Sequence, residues 1–193
     1  MSPRAKMVLI FVLFSVPTVA SFLTYFFAAP PANTANYGEL LSPPISLPEL
    51  KSAFSDGADL PQMVRDNGLR GKWLIVTRDG GACDAVCDKK LYAMRQAKLI
   101  LGREMDRVAR LVLVDDGAKP NAEKLTAYAG TAWMDSASTW LGAMPQAKEN
   151  EVARGYIYVV DPLGNLFMRY PAEPDIKRMA NDLKRLLKAS QIG

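Results

Sequence analysis

The sequence predicts an α/β fold, a central sheet with flanking helices, preceded by one N-terminal transmembrane helix. Three observations predict this fold class. An uncharged apolar run lies near the N-terminus, short apolar runs alternate with helical patterns further along, and an amphipathic helix pattern ends the chain. The composition of the 193 residues, 49% hydrophobic and 23% charged, is typical of a globular protein.

The first element is an apolar run from Met7 to Ala29 that contains no charged residue. About 20 apolar residues are enough to cross a bilayer as a helix, so residues 7–29 are predicted to be a membrane anchor. Arg4 and Lys6 precede this run and no basic residue follows it before Lys51, so the positive-inside rule places residues 1–6 in the cytoplasm. We therefore expect a single-pass protein of a bacterial inner (cytoplasmic) membrane whose C-terminal domain lies in the periplasm.

A cleaved signal peptide is the alternative to this anchor. The apolar region of a signal peptide is usually about 7–15 residues long and ends in small residues before the cleavage site. The run found here is longer, and Pro30 and Pro31, which suit cleavage poorly, follow it directly. An uncleaved anchor is the favoured interpretation.

The chain beyond the anchor divides into a tether and an outer domain. Residues 30–48 contain five prolines among mostly small or polar residues, which predicts an extended tether. Residues 49–193 are assigned to the outer domain.

The outer domain alternates strands and helices. Four apolar runs predict strands: Trp73–Val76, Leu111–Val114, Tyr156–Val160 and Leu166–Tyr170. Helical patterns predict three helices: Ala82–Leu101, Asn121–Tyr128 and the segment that follows Pro174. Turn-forming residues separate the last two strands and predict a hairpin, whereas residues 131–150 show no clear period. The order strand, helix, strand, helix, hairpin, helix predicts a sheet with helices packed on its faces.

The chain has no histidine and only two cysteines. The absence of histidine excludes Ser-His-Asp and Cys-His catalysis, zinc fingers with histidine ligands, and histidine-ligated haem or copper. The 24 basic and 20 acidic residues give a formal net charge of only +4, and the basic residues form no dense stretch, so no nucleic-acid partner is expected. Redox or metal chemistry must therefore use the two cysteines.

These cysteines form a CxxxC motif, Cys83 to Cys87, between the first predicted strand and helix of the outer domain. The backbone N–H groups at a helix N-terminus lower the pKa of a thiol placed there. Two residues four apart within a helix have Cβ atoms about 5–6 Å apart, whereas a disulfide needs about 3.8 Å. A reversible disulfide therefore requires Cys83 in the loop, as the exposed attacking thiol, and Cys87 in the first helical turn, as the resolving thiol. Gly80 and Gly81 give the loop the backbone freedom for this arrangement.

Five charged residues near the motif bear on thiolate formation. Arg78, Lys89 and Lys90 would favour a thiolate, whereas Asp84 and Asp88 would oppose it. A purely structural disulfide is the alternative to a functional one, because exported proteins often carry such bridges. A bridge over three intervening residues closes so short a loop that it constrains the unfolded chain little, so a functional pair is favoured.

Several features together resemble the Sco/SenC family of membrane-anchored copper chaperones. They are the anchor, the CxxxC motif at the start of a helix, a strand that ends near Asp115, and a hairpin with the sequence Asp161-Pro162-Leu163-Gly164. The resemblance covers roughly residues 38–190. It implies a thioredoxin-like fold and a role in cytochrome c oxidase biogenesis, with an oxidase subunit or another copper chaperone as the partner.

The chain departs from this family at the third copper ligand. Sco proteins bind copper through two cysteines and a histidine that precedes the hairpin turn, and Ala153 occupies the corresponding position. Three hypotheses follow. Cys83 and Cys87 perform thiol–disulfide exchange with no required cofactor, as an oxidoreductase, which is the favoured hypothesis. Alternatively, the two cysteines bind Cu(I), either alone or with a thioether ligand from Met134 or Met144, or the domain only docks a partner during oxidase assembly.

Overall fold

The computed structural model describes residues 2–27, 36–48, 69, 71–134, 139–145 and 154–190. Its contacts divide the chain into two compact units, Met1–Ala35 and Asn36–Gly193. Each unit is described by itself below.

The first unit contains one long helix, α1, from Pro3 to Phe27. Its 25 residues rise about 37 Å at 1.5 Å per residue, and its composition is apolar enough to cross a membrane. Pro17 lies inside the helix, and the hydroxyl of Thr24 donates to the carbonyl of Ala20 at 2.9 Å. The polar side chain is therefore satisfied within the helix, as an apolar environment requires. The helix begins four residues before the predicted span.

The second unit is built on one six-stranded mixed sheet. The strands are β1 Glu39–Ser46, β2 Trp73–Asp79, β3 Val108–Val114, β4 Thr131–Met134, β5 Tyr156–Val160 and β6 Asn165–Pro171. Their order across the sheet is β1-β6-β5-β2-β3-β4, so β2 lies in the interior. The pairs β2–β3 and β3–β4 are parallel, and the other three pairs are antiparallel.

In the described part of this unit, four α-helices and one short 3₁₀ helix accompany the sheet. The α-helices are α2 Ala85–Ile100, α3 Ala122–Ala127, α4 Thr139–Ala143 and α5 Ile176–Ala189, and the 3₁₀ helix is Gly102–Arg107. Side chains cap three of these helices, because Asp84, Asn121 and Asp175 each accept a hydrogen bond from a backbone N–H in the first turn. The predicted central sheet with flanking helices is therefore confirmed, with strand and helix ends shifted by a few residues.

The two faces of the sheet carry separate apolar clusters. On the face that α2 and α5 cover, one cluster joins Trp73 and Ile75 to both helices, and a second cluster surrounds the cysteines. On the opposite face a third cluster contains Leu111, Met134 and Trp140. Strand β3 shows the alternation that separates the faces, since Val112 and Val114 lie in the cysteine cluster whereas Leu111 and Leu113 lie in the third cluster.

Strand β1 lies in the stretch that the sequence analysis assigned to the tether. It pairs antiparallel with β6 at the edge of the sheet, and the register shifts between Leu40 and Ile45, the interval that contains Pro43 and Pro44. Prolines are tolerated there because an edge strand needs hydrogen bonds on one side only. The buried carboxylate of Asp182 on α5 accepts the N–H groups of residues 37 and 38, both at 2.9 Å, so this segment belongs to the folded domain.

Candidate functional site

The two cysteines form a disulfide between β2 and α2. Strand β2 ends at Asp79, Cys83 lies in the connecting loop, and Cys87 lies in the first turn of α2, with a Cα–Cα distance of 5.1 Å. Among the described residues other than glycine, Cys83 is the one with a positive φ, +52°. This left-handed backbone conformation places Cys83 close enough to the first turn of α2 for a disulfide with Cys87. If both cysteines lay within a regular helix, their sulfur atoms would be too far apart.

The disulfide is buried. Cys83 is 6% exposed and Cys87 is fully inaccessible, so Cys83 is the more accessible of the two but not the exposed thiol that the sequence suggested. Both belong to a group that we call the cysteine cluster. Its other members are Leu91, Val112, Val114, Tyr128 and Trp133.

Asp84 organises the start of α2. Its Oδ1 accepts the backbone N–H groups of Val86 and Cys87, both at 2.9 Å. These are the N–H groups that would otherwise stabilise a nearby thiolate, so the capping carboxylate reduces the effect of the helix N-terminus on the cysteines. The expected opposition between Asp84 and a thiolate therefore has a definite hydrogen-bonding basis.

Gly80 and Gly81 allow the loop to approach the segment that follows β3. A Cβ atom on Gly80 would overlap a carboxylate oxygen of Asp116, and one on Gly81 would lie 2.5 Å from the carbonyl oxygen of Ala118. The N–H of Gly81 donates to Asp116 at 3.1 Å, and its carbonyl accepts from the N–H of Asn121 at 2.9 Å. Neither glycine has a positive φ, so close packing is the reason for glycine here.

The cations that were predicted to support a thiolate all have carboxylate partners. Arg78 pairs with Asp115 at 2.7 Å, Lys89 with Glu173 at 2.8 Å and Lys90 with Asp79 at 2.6 Å. Asp88, predicted to oppose a thiolate, pairs with Lys124, which lowers the pKa of Asp88. The charges beside the disulfide are therefore largely compensated.

The pair formed by Lys90 and Asp79 is buried. The Lys90 side chain is fully inaccessible and that of Asp79 is 3% exposed. The Lys90 ammonium also donates to the carbonyls of Arg78 at 2.9 Å and Arg154 at 2.5 Å. Burial lowers the pKa of Lys90, and the hydrogen bond and charge of Asp79 oppose this effect. Lys90 follows Cys87 by three residues, so both side chains lie on the same face of α2.

A second network connects the loops around the disulfide. Arg154 precedes β5 and pairs with both Asp115 and Asp116, and Asp115 also accepts from Arg78. Burial raises the pKa of Asp115, but hydrogen bonds from Arg154 and Arg78 outweigh it, so the pKa lies below its usual value. Sequence reasoning missed Asp79, Asp116 and Arg154, because their partners are distant along the chain. Ala153 lies outside the described residues.

The two methionines considered as copper ligands lie away from the cysteines. Met134 and Met144 both pack in the apolar cluster on the opposite face of the sheet. Within the part of the chain that the structure describes, no group of three or more His, Cys, Asp or Glu side chains could hold a metal ion. Among the described residues, the donor set at this site is therefore two sulfur atoms, which suits a soft ion such as Cu(I).

Residues 73–190 match the sequence model of a family described as the transmembrane-like, thioredoxin-like, C-terminal domain. The chain belongs to this family. The match contains all of the sheet except β1, and it includes both cysteines and the residues of the two charge networks. No protein of curated function matches the sequence significantly.

Solved structures of Sco proteins share the fold. Apo Sco1 from Thermus thermophilus is 18% identical, with a TM-score of 0.54, and the match covers 81% of this chain and 99% of that one. Yeast Sco1 is 15% identical, with a TM-score of 0.51, and the match covers 65% of this chain and 85% of that one. The thioredoxin-like fold that the sequence resemblance implied is therefore confirmed.

Proposed function

We propose that this protein is a membrane-anchored thiol–disulfide oxidoreductase that acts through Cys83 and Cys87. The observation that carries the proposal is the placement of the disulfide, which joins a left-handed loop residue to the first turn of α2. The pair lies beyond the carboxyl end of a central strand, where open α/β sheets commonly bind their ligands.

The proposed reaction transfers two electrons from the reduced protein to a disulfide in a partner. The Cys83 thiolate attacks one sulfur of that disulfide, and the other partner sulfur leaves as a thiolate and takes up a proton. The Cys87 thiol then loses its proton and attacks the Cys83 sulfur of the mixed disulfide. This step forms the Cys83–Cys87 disulfide and releases the partner as a dithiol. A dithiol reductant must then reduce the pair before another cycle.

The burial of the two cysteines supports this division of roles. Cys83 retains a small accessible area, whereas Cys87 has none, so an incoming sulfur reaches Cys83 first. Val86, between them, is 45% exposed and offers an apolar contact beside the attacking sulfur.

The apolar N-terminal helix and the Sco-like fold support the biological setting that we propose. We place the domain on the periplasmic side of a bacterial inner membrane, with a role in cytochrome c oxidase biogenesis. The partner in this proposal is a cysteine-bearing oxidase subunit or another copper chaperone. Delivery of Cu(I) by the two sulfur atoms is the alternative, and it is less well supported because both candidate thioether ligands pack on the other face of the sheet.

Glutathione buffers provide the first test, with the full chain in a non-ionic detergent. The fraction of oxidised Cys83–Cys87 pair, read by alkylation and mass spectrometry, should follow a two-electron titration curve. With a small disulfide substrate, Cys87→Ser should accumulate a mixed disulfide through Cys83, whereas Cys83→Ser should not. A mixed disulfide that forms equally well through Cys87 would contradict the assigned roles.

Copper titration provides the second test. The reduced, anaerobic full chain should show no tight one-to-one binding of Cu(I). If it binds one Cu(I) tightly, if Cys83→Ser abolishes this binding, and if the pair fails to equilibrate with glutathione, the oxidoreductase proposal is wrong. Unimpaired oxidase assembly with both cysteines replaced by serine would instead indicate the docking role.

A further inference from the structure

Two arginines on the sheet are equally buried but differ in their partners. Arg169 on β6 and Arg110 on β3 are each 6% exposed. The guanidinium of Arg169 donates to Glu39 through Nε at 2.7 Å and Nη2 at 3.0 Å. Arg110 donates through Nη2 to the carbonyl of Ala129 at 2.8 Å, while its Nε and Nη1 are buried without a hydrogen-bond partner. A buried guanidinium without a counter-charge is costly. Among the described residues, Arg110 therefore lacks the negatively charged acceptor that Glu39 provides for Arg169.

Three further unpaired polar groups lie on the same face of the sheet: two on β4, beside Arg110, and the indole N–H of Trp73 on β2. Thr131 on β4 is directly opposite Arg110 in the parallel register, and Trp133 is two residues further along β4. The hydroxyl of Thr131 and the indole N–H of Trp133 are also buried without a partner. The four unpaired atoms on β3 and β4, including Nε and Nη1 of Arg110, can all donate a hydrogen bond, so the missing group is an acceptor.

The charges near Arg110 are positive. Burial lowers the pKa of Arg110, and the charge of Arg95 on α2 lowers it further. Burial also lowers the pKa of Lys98, and the charges of Arg110 and Lys72 add to this effect, with Asp106 opposing them. Across the described residues, no carboxylate forms an ion pair with Arg110. Unpaired donors in a positive environment favour an anion.

We propose that Arg110, Thr131 and Trp133 form a binding site for a small oxyanion such as phosphate, sulfate or a carboxylate. The anion supplies the counter-charge that Glu39 supplies to Arg169 and the acceptor that the four donors lack. Arg95 is exposed and Lys98 is half-buried, so two cations beside Arg110 are accessible to an approaching ion. The burial of the donor atoms restricts the ligand to a small ion and disfavours a lipid headgroup that carries acyl chains.

The test measures thermal unfolding of the full chain in a non-ionic detergent. Sodium sulfate or phosphate is compared with sodium chloride at equal ionic strength, for the wild type, Arg110→Met and Arg169→Met. At about ten times the dissociation constant, the unfolding midpoint of the wild type should rise by about 3–6 °C more than that of Arg110→Met. Sulfate and phosphate stabilise most proteins in a general way, and this effect should be the same for the wild type and Arg110→Met. Subtracting the rise of the variant from that of the wild type therefore leaves the effect of specific binding.

Arg169→Met is the matched control, because it removes an equally buried strand arginine that already has a carboxylate partner. This variant should keep the anion-dependent rise. Equal rises for the wild type and Arg110→Met would overturn the proposal, and so would an equal loss in both arginine variants.

Calorimetric titration of sulfate gives a direct measurement. The wild type and Arg169→Met should each bind one sulfate saturably, and Arg110→Met should not. Trp133→Phe removes a single donor and should weaken binding about three- to tenfold, which keeps the test valid if Arg110→Met does not fold. The absence of saturable sulfate or phosphate binding in the wild type would show that only water satisfies these groups. An Arg110-dependent rise with phosphatidylglycerol in the micelles in place of sulfate would contradict the small-ion assignment.

Discussion

The buried ion pair of Lys90 and Asp79 gives a quantitative prediction. Lys90→Met replaces the ammonium with an apolar side chain of similar length and leaves the Asp79 carboxylate, 3% exposed, without its counter-charge. It also removes the donor to the carbonyls of Arg78 and Arg154. Breaking a buried pair in this way usually costs about 3–5 kcal/mol, so the free energy of unfolding should fall by that amount.

Lys89→Met is the matched control for this change. It is the same substitution at the adjacent residue, but the Lys89 and Glu173 side chains are 56% and 63% exposed, so their ion pair is screened by solvent. The loss of an exposed pair should cost less than about 1 kcal/mol. The two variants separate the effect of burial from the effect of removing a lysine from α2.

Urea unfolding of the full chain in detergent, followed by near-ultraviolet circular dichroism, measures these differences. The double variant Asp79→Asn with Lys90→Met removes the uncompensated charge, and the amide oxygen that it introduces at position 79 can still accept the N–H of Gly80, as Oδ1 of Asp79 does. We expect the double variant to be less destabilised than the sum of the single variants by about 1–3 kcal/mol. The reasoning is refuted if Lys90→Met costs no more than Lys89→Met, or if the two single effects are additive.

Two other substitutions test the packing and the charges around the disulfide loop. Gly81→Ala should destabilise the domain by about 1–3 kcal/mol, because the added Cβ would meet the Ala118 carbonyl. Gly142→Ala in α4 is the control: its Cβ would meet nothing within 4 Å, so this variant should be neutral or stabilise by up to about 1 kcal/mol. Thermal unfolding midpoints measure both effects. Asp115→Asn should cost about 1–3 kcal/mol at pH 7, because this carboxylate accepts hydrogen bonds from Arg78 and Arg154. Folding lowers the pKa of Asp115, so the ionised carboxylate contributes its full stabilisation above the unfolded-state pKa of about 3.9. This stabilisation is lost as the pH falls through the pKa of the folded state. In urea unfolding, the stabilities of the wild type and Asp115→Asn should therefore converge below about pH 4. A constant difference between them down to pH 3 would contradict this assignment.

The sheet could be predicted largely from the sequence because its central strands are continuous apolar runs. Strand β3 is buried along its whole length and β2 nearly so, and their composition leaves little alternative to a covered sheet. Strand β1 could not be predicted, since Pro43 and Pro44 indicate irregular chain and only the edge position makes them acceptable. Strand β4 has four residues, too few for a clear period.

The cysteine pair could also be predicted, including the placement of Cys83 in the loop and Cys87 in the helix, because disulfide geometry excludes other placements. Its environment could not. Lys90 was predicted to be a thiolate-supporting cation, but its charge is shared with Asp79, eleven residues earlier in the chain and brought close by the strand–helix connection. Arg154 contacts residues almost forty positions away, and no local pattern identifies such a partner.

The distribution of the three tryptophans has a consequence for measurement. Trp73, Trp133 and Trp140 are all buried, and each lies in a different apolar cluster of the outer domain. Trp133 shares its cluster with the disulfide, and a disulfide quenches the fluorescence of a nearby indole. In the variant Trp73→Phe with Trp140→Phe, the tryptophan fluorescence should therefore come from Trp133 alone, and its intensity should increase when the cysteines are reduced. The fold thus contains its own optical indicator of the redox state of Cys83 and Cys87, which could be followed without an added label.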